Sequence, residues 1–133
     1  MKLGYVILYV PSIPDAVDFY ERAFGLTCRL QSVEGNMGYA EMETGSTVLS
    51  FATEELARSH GFDFRATRPD VDSPSFEVAF VTDDVQAAFD KAIAAGATSA
   101  SEPTQKEWGQ TVSYVRDIHG YLVEICSPMT PLQ

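Results

Sequence analysis

Residues 5–26 read YVILYVPSIPDAVDFYERAFGL, and this stretch decides the fold. Gly4–Val10 is a β-branched and aromatic run of strand length, broken by Pro11-Ser12-Ile13-Pro14. Ser12 has the chemistry of a helix N-cap, Pro14 suits the first turn, and Asp15 is favourable beside a helix N-terminus. Ala16, Phe19, Tyr20, Ala23 and Phe24 then recur at the spacing of one helical face, and Gly25 is placed to stop the helix. Phe19, Tyr20 and Phe24 read as core packing. Strand alternation puts Ile7 and Tyr9 on the side of Tyr5, and Val6, Leu8 and Val10 on the side of the helix. Three extended runs follow, around Leu26–Val33, Gly38–Glu43 and Thr47–Ala52, the last two joined through Gly45-Ser46.

The second half repeats this order. Phe76–Thr82, FEVAFVT, predicts a strand. Asp83 and Asp84 offer the cap, and Val85, Ala88, Phe89, Ala92 and Ile93 give the helical stripe before Gly96. Extended runs recur at Thr98–Ser101, Gln110–Arg116 and Tyr121–Ser127, with the turn Asp117-Ile118-His119-Gly120 between the last two. Each half is a βαβββ unit. Residues 1–53 form the first module and 75–128 the second, with a polar connector over 54–74 and a short C-terminal tail. Glu54–His60 is a candidate short helix in the connector. One such unit leaves a sheet face unburied, so two must combine. The fold class is α+β, with the sheet faces away from the helices forming a concave wall and a pocket between the copies.

Composition narrows the function. A 133-residue chain that is 45% hydrophobic suits one ordered domain. No stretch approaches the length of a membrane span and the N-terminus lacks a secretory signal, so the expected location is the cytoplasm and no membrane partner is expected. Nineteen acids against nine bases give a net charge of −10, which argues against nucleic acid and suits a cationic ligand. Cys28 and Cys126 are too few for a disulfide framework and read as buried thiols.

With YVILYVPSIPDAVDFYERAFGL in the first half and WGQTVSYVRDIHGYLVEI in the second, the chain resembles the vicinal oxygen chelate superfamily. That group includes glyoxalase I, extradiol dioxygenases, fosfomycin-resistance enzymes and bleomycin-resistance proteins. The features shared are an FY pair before a Phe-Gly helix stop, and a terminal turn followed by Gly-Tyr-x-x-Glu. In metal-dependent members, ligands stand on the first and last strand of each module and are usually His, Glu or Gln. The resemblance carries these positions onto Tyr5 and Glu77, and onto Ser50 and Glu124. It also implies a homodimer.

A neutral Tyr or Ser oxygen is a poor ligand for a divalent ion, and both histidines lie elsewhere, His60 in the connector and His119 in the final turn. No cofactor is therefore expected; the alternative is a divalent ion held weakly by Glu77 and Glu124. A strand Glu facing inward is uncommon unless paired, hydrated or functional. If Glu77 and Glu124 face each other, repulsion raises one pKa and creates a shared-proton pair able to act as acid and base. Otherwise they hydrogen-bond Tyr5, Ser50 or water. His119 takes a turn position and is expected to face solvent.

Trp108 is the one tryptophan. In bleomycin-resistance proteins a tryptophan in a similar WG-then-strand setting stacks on the planar part of the drug, so the resemblance makes Trp108 a stacking wall; the other reading is a cover for the edge of the core. The leading expectation is a binding protein, closest in character to the bleomycin-resistance-like members without His ligands. It encloses a planar or cationic organic molecule between its modules, with Tyr5, Ile7, Tyr9, Ser50 and Trp108 lining the site. The rival is a lyase, isomerase or dioxygenase-type enzyme in which Glu77 and Glu124 are catalytic, with an atypical metal or none.

Overall fold

The computed structural model of the protein describes residues 1–129, so the expected C-terminal tail falls, from residue 130 onward, outside the described residues. The chain divides after Thr67 into two compact units. The first contains β1 (Tyr5–Val10), α1 (Ile13–Phe24), β2 (Thr27–Glu34), β3 (Met37–Glu43), β4 (Val48–Thr53) and a short α2 (Glu54–Arg58). The second contains β5 (Val78–Val81), α3 (Val85–Ala95), β6 (Thr98–Gln105), β7 (Thr111–Arg116) and β8 (Leu122–Cys126). The two four-stranded sheets run in matching order, β1-β4-β3-β2 and β5-β8-β7-β6. In each, the first and last strands of the module pair in parallel and the remaining pairs are antiparallel. Two βαβββ modules, one α+β fold, follow from the internal repeat.

The helices start and stop where their caps allow. Ser12 Oγ accepts from the Asp15 amide at 3.3 Å, and the Gly25 amide closes the last turn onto the Glu21 carbonyl at 3.0 Å. Of the two aspartates before α3, Asp84 is the cap; its carboxylate accepts from the Ala87 amide at 3.0 Å. α1 buries Ile13, Ala16, Val17, Phe19, Tyr20 and Ala23 against the sheet side carrying Leu8, Val10, Ala40, Met42 and Phe51, all essentially buried. Gly38 makes that approach possible, because a Cβ there would lie 2.7 Å from Ile13 Cγ1. In the second module Val85, Phe89 and Ala92 pack toward the buried Val115, Val123 and Ile125. The opposite sheet sides carry Tyr5 and Ile7, at 52% and 45% exposure, and Glu77 with Glu124.

Several local expectations shift. β5 starts at Val78, so Glu77 stands one residue before it, just ahead of the first ladder pair with β8, Val78 with Val123. β6 runs to Gln105 despite Pro103; it is an edge strand, where a missing N–H is tolerated, and its register breaks around Ser99–Thr104. The connector splits, residues 54–67 with the first unit and Arg68 onward with the second. Arg116 holds the start of the second unit by donating to the carbonyls of Arg68, Pro69 and Gly120 at 2.8–3.1 Å. His119 does not face solvent; it is buried. Asp117 Oδ1 accepts from the amides of His119 and Tyr121, each at 2.9 Å, and this tightens the turn. Gly120 completes it at φ 102°, where a Cβ would meet the Arg68 carbonyl at 2.5 Å.

Candidate ligand site

Strand pairing sets the site positions. Ile7 pairs with Ser50 between β1 and β4, and Ala79 pairs with Glu124 between β5 and β8. Tyr5 and Glu77 each lie two residues upstream of the paired residue, on the same sheet face by alternation. Tyr5 thus corresponds to Glu77, and Ser50 to Glu124, by register.

The first module builds a hydrogen-bonded chain at Ser50, which is fully buried. Tyr39 lies between two oxygens: its hydroxyl is 3.0 Å from Ser50 Oγ and donates to Glu41 Oε2 at 2.7 Å. Arg29 Nε donates to Glu41 Oε1 at 2.9 Å, and its Nη1 lies 3.7 Å from Glu43. The hydrogen bonds from Tyr39 and Arg29 hold the Glu41 carboxyl below its ordinary pKa, whereas burial pushes the Tyr39 phenol up. Tyr39 therefore stays a donor to an ionised, arginine-paired carboxylate. Beside this chain a cleft of about 310 Å³ is lined by Tyr5, Arg29, Val48, Lys2 and Ser46 among others. Tyr9, half-buried on the same sheet face, packs on Phe64 and Phe62 at ring-centroid distances of 4.8 and 6.3 Å.

The second module places two carboxyls together. Partial burial, with the hydrogen bond and charge of Glu124, raises the Glu77 pKa to about 6. Burial also opposes ionisation of Glu124, but hydrogen bonds from Glu77, Cys126 and Tyr114 outweigh it and its pKa falls. Glu77 is therefore the carboxyl of the pair that takes up a proton first as pH falls. Tyr114, directly across from Glu124 in the β7–β8 register, donates to Oε1 at 2.9 Å. Burial and then Glu124 push the Tyr114 phenol to about 12 and the Cys126 thiol to about 11. Both groups are proton donors at neutral pH, and Cys126 is not a nucleophile there. Among the described residues, none of the groups that shift either pKa is a basic side chain.

Residues 2–125 match the family model of the Glyoxalase/Bleomycin resistance protein/Dioxygenase superfamily. This chain belongs to that superfamily. No curated protein matches its sequence. Among solved structures it is similar to a glyoxalase-related enzyme from Fulvimarina pelagi, at 18% identity and TM-score 0.82, covering 96% of this chain and 88% of that one. It is also similar to a glyoxalase/bleomycin resistance protein/dioxygenase from Nocardioides, at 20% identity and TM-score 0.75, covering 100% and 89%. TioX from Micromonospora sp. ML1 follows at 23% identity and TM-score 0.70, covering 96% and 98%. At these identities the likeness establishes the fold.

Superfamily chemistry often uses a divalent metal, so the donors at the four positions bear on it. Ser50 has its hydroxyl engaged by Tyr39, Tyr5 offers only a phenol oxygen, and Glu77 and Glu124 are two carboxyls without an imidazole beside them. His60 packs beside Phe62 in the connector at 6.4 Å, and His119 lies in the β7–β8 turn. Among the described residues no three His, Cys, Asp or Glu side chains are grouped to hold an ion. This donor set does not fit a transition metal.

Trp108 lies in the turn between β6 and β7, closed by the Lys106 amide on the Gln110 carbonyl at 2.8 Å and the Gly109 amide on Lys106 at 2.9 Å. The indole is 62% exposed. The site residues missed in the sequence, Arg29, Tyr39, Glu41, Tyr114 and Cys126, all reach their partners through the sheet. Glu41 carried one usable signal: an acid inside the apolar run GYAEME. Among the described residues no helix is long and apolar enough to cross a membrane.

Proposed function

We propose that this superfamily member binds a planar, cationic organic molecule, with Glu77 and Glu124 meeting the positive group and Trp108 stacking on the ring system. The observation that carries this reading is the Glu77–Glu124 pair itself. At pH 7 and above, with the Glu77 pKa about 6, both carboxyls are mostly ionised, and among the described residues no basic side chain is among the groups that shift them. A ligand cation relieves that repulsion. The Ser127 amide bonds to the Thr111 carbonyl at 2.9 Å where the Trp108 turn rejoins the sheet. Ser127 directly follows β8, the strand that carries Glu124, so the Trp108 turn adjoins the end of that strand. Cation–π contact with the indole contributes ~0.5–2 kcal/mol, and apolar burial about 25 cal/mol per Å² before association costs. Tyr5, Ile7 and Tyr9 are the corresponding apolar surface of the first module, with Ser50 as its polar centre. The protein acts in this reading as a metal-free binder and as a homodimer.

Native mass spectrometry against mixed planar cations, anions and neutral compounds tests this. Retention of cations by the wild type, lost in Trp108→Ala, supports the proposal; a preference for anions overturns it.

A second reading is favoured by the Glu77 pKa of about 6, near the optimum for acid–base catalysis at neutral pH. Glu124, ionised, takes a proton from carbon and Glu77, protonated, returns one, as in an isomerase or lyase. Deuterium wash-in from D₂O into a turned-over carbonyl compound, abolished by Glu124→Gln, distinguishes it from simple binding.

A further inference from the structure

Gln110 bridges two groups with its one amide. Its Oε1 accepts from the Trp108 indole N–H at 2.9 Å, and its Nε2 donates to the Ser127 carbonyl at 2.8 Å. The Ser127 hydroxyl in turn accepts from the Thr111 amide at 2.9 Å. An indole this exposed would ordinarily turn about its two side-chain torsions. Here its single polar atom is tied to a half-buried glutamine that is anchored to the segment following β8. The turn closes around the same glutamine, whose backbone carbonyl accepts from the Lys106 amide at 2.8 Å.

We infer that Gln110 is a positioning residue that locks the Trp108 indole as a π-only platform and so selects aromatic cations over neutral rings bearing hydrogen-bond acceptors. The N–H is the one donor an indole possesses, and Gln110 consumes it. A ligand acceptor must therefore displace Gln110 or go unpaired, which disfavours it, while the negative ring face remains open to a cation. The selectivity rests on the stacking role proposed above for Trp108; the locking does not.

The sole tryptophan makes every indole signal report this site. Gln110→Met removes both bonds at similar volume, and Gln110→Glu keeps an acceptor for the N–H. The near-ultraviolet circular dichroism band and the fluorescence anisotropy of the indole should fall in Gln110→Met and persist in Gln110→Glu, with the melting temperature of each variant recorded alongside. An unchanged band in a folded Gln110→Met protein overturns the locking. Methyl viologen, a planar dication that quenches indole on contact, and 4,4′-bipyridine, its neutral acceptor-bearing counterpart at pH 8, test the selectivity. Wild type should bind methyl viologen at least about tenfold more tightly, and Gln110→Met should lose about fivefold of that affinity. Equal affinity for the two probes overturns the selectivity. If the wild type binds neither probe, the ligand reading fails, and the indole band still decides the locking.

Discussion

Tyr114 donates to Glu124 Oε1 at 2.9 Å across the β7–β8 pair, and this bond joins those of Glu77 and Cys126 in lowering the Glu124 pKa. Tyr114→Phe removes a donor to the ionised form of Glu124. Its pKa should rise toward the ordinary value, read by carbon-detected NMR of the carboxyl groups. The loss of stability should be about 0.5–1.5 kcal/mol, below the range for a buried bond to a charged group because the site is partly exposed. An unmoved Glu124 titration would show that another group holds it ionised.

The raised Glu77 pKa has a stability consequence of definite sign. Its folded value is about 6 against an ordinary 4.5, so the folded state binds more protons than the unfolded state between those values. Glu77 therefore stabilises the protein below about pH 4.5, and that contribution disappears as pH rises through 6. Glu124, with its lowered value, acts oppositely: its contribution is complete above 4.5 and lost as pH falls through its folded pKa. Glu77→Gln should thus compare more favourably with wild type at pH 7.5 than at pH 4.5 in urea unfolding. A variant-to-wild-type difference that is flat with pH would count against the raised Glu77 pKa.

In the first module, Tyr39→Phe takes away the hydroxyl that contacts buried Ser50 and donates to Glu41. The expected cost is about 1–3 kcal/mol by chemical denaturation. Tyr5→Phe, at a half-exposed ring, should cost less than about 0.5 kcal/mol. Equal costs would mean that the Tyr39 network contributes nothing to folding.

β2 and β6 each leave a sheet edge unpaired within their modules, the kind of surface that association covers. Light scattering at micromolar concentration should give the mass of two chains; a single-chain mass across that range would remove the dimer from the account.

Much of this architecture was legible in the residues. Ser12, Gly25 and Gly96 mark helix ends by local chemistry, and the repeat of the βαβββ order pairs Tyr5 with Glu77, while Ser50 and Glu124 come from the family resemblance. What stayed hidden depends on register between distant strands. Tyr114 meets Glu124 only because β7 folds back over a four-residue turn, and Arg29 sits where the β2–β3 register shifts between Cys28 and Leu30, breaking the alternation that would have assigned its face. His119 was misread because turn composition suggests exposure, whereas Asp117 gathers the turn amides inward. The aromatic packing of Phe62 and Phe64 on Tyr9 lies in a stretch whose polarity concealed it.

The carboxylate pair as the seat of cation binding is tested most directly by calorimetric titration of methyl viologen into wild type and the Glu77→Gln/Glu124→Gln double variant at pH 8. The titration is run at low and at about 0.3 M salt, where the screening length falls below 10 Å. Saturable binding that weakens with salt and drops at least about tenfold in the double variant is the predicted result. Binding that is unchanged in the double variant, or absent from wild type, contradicts it.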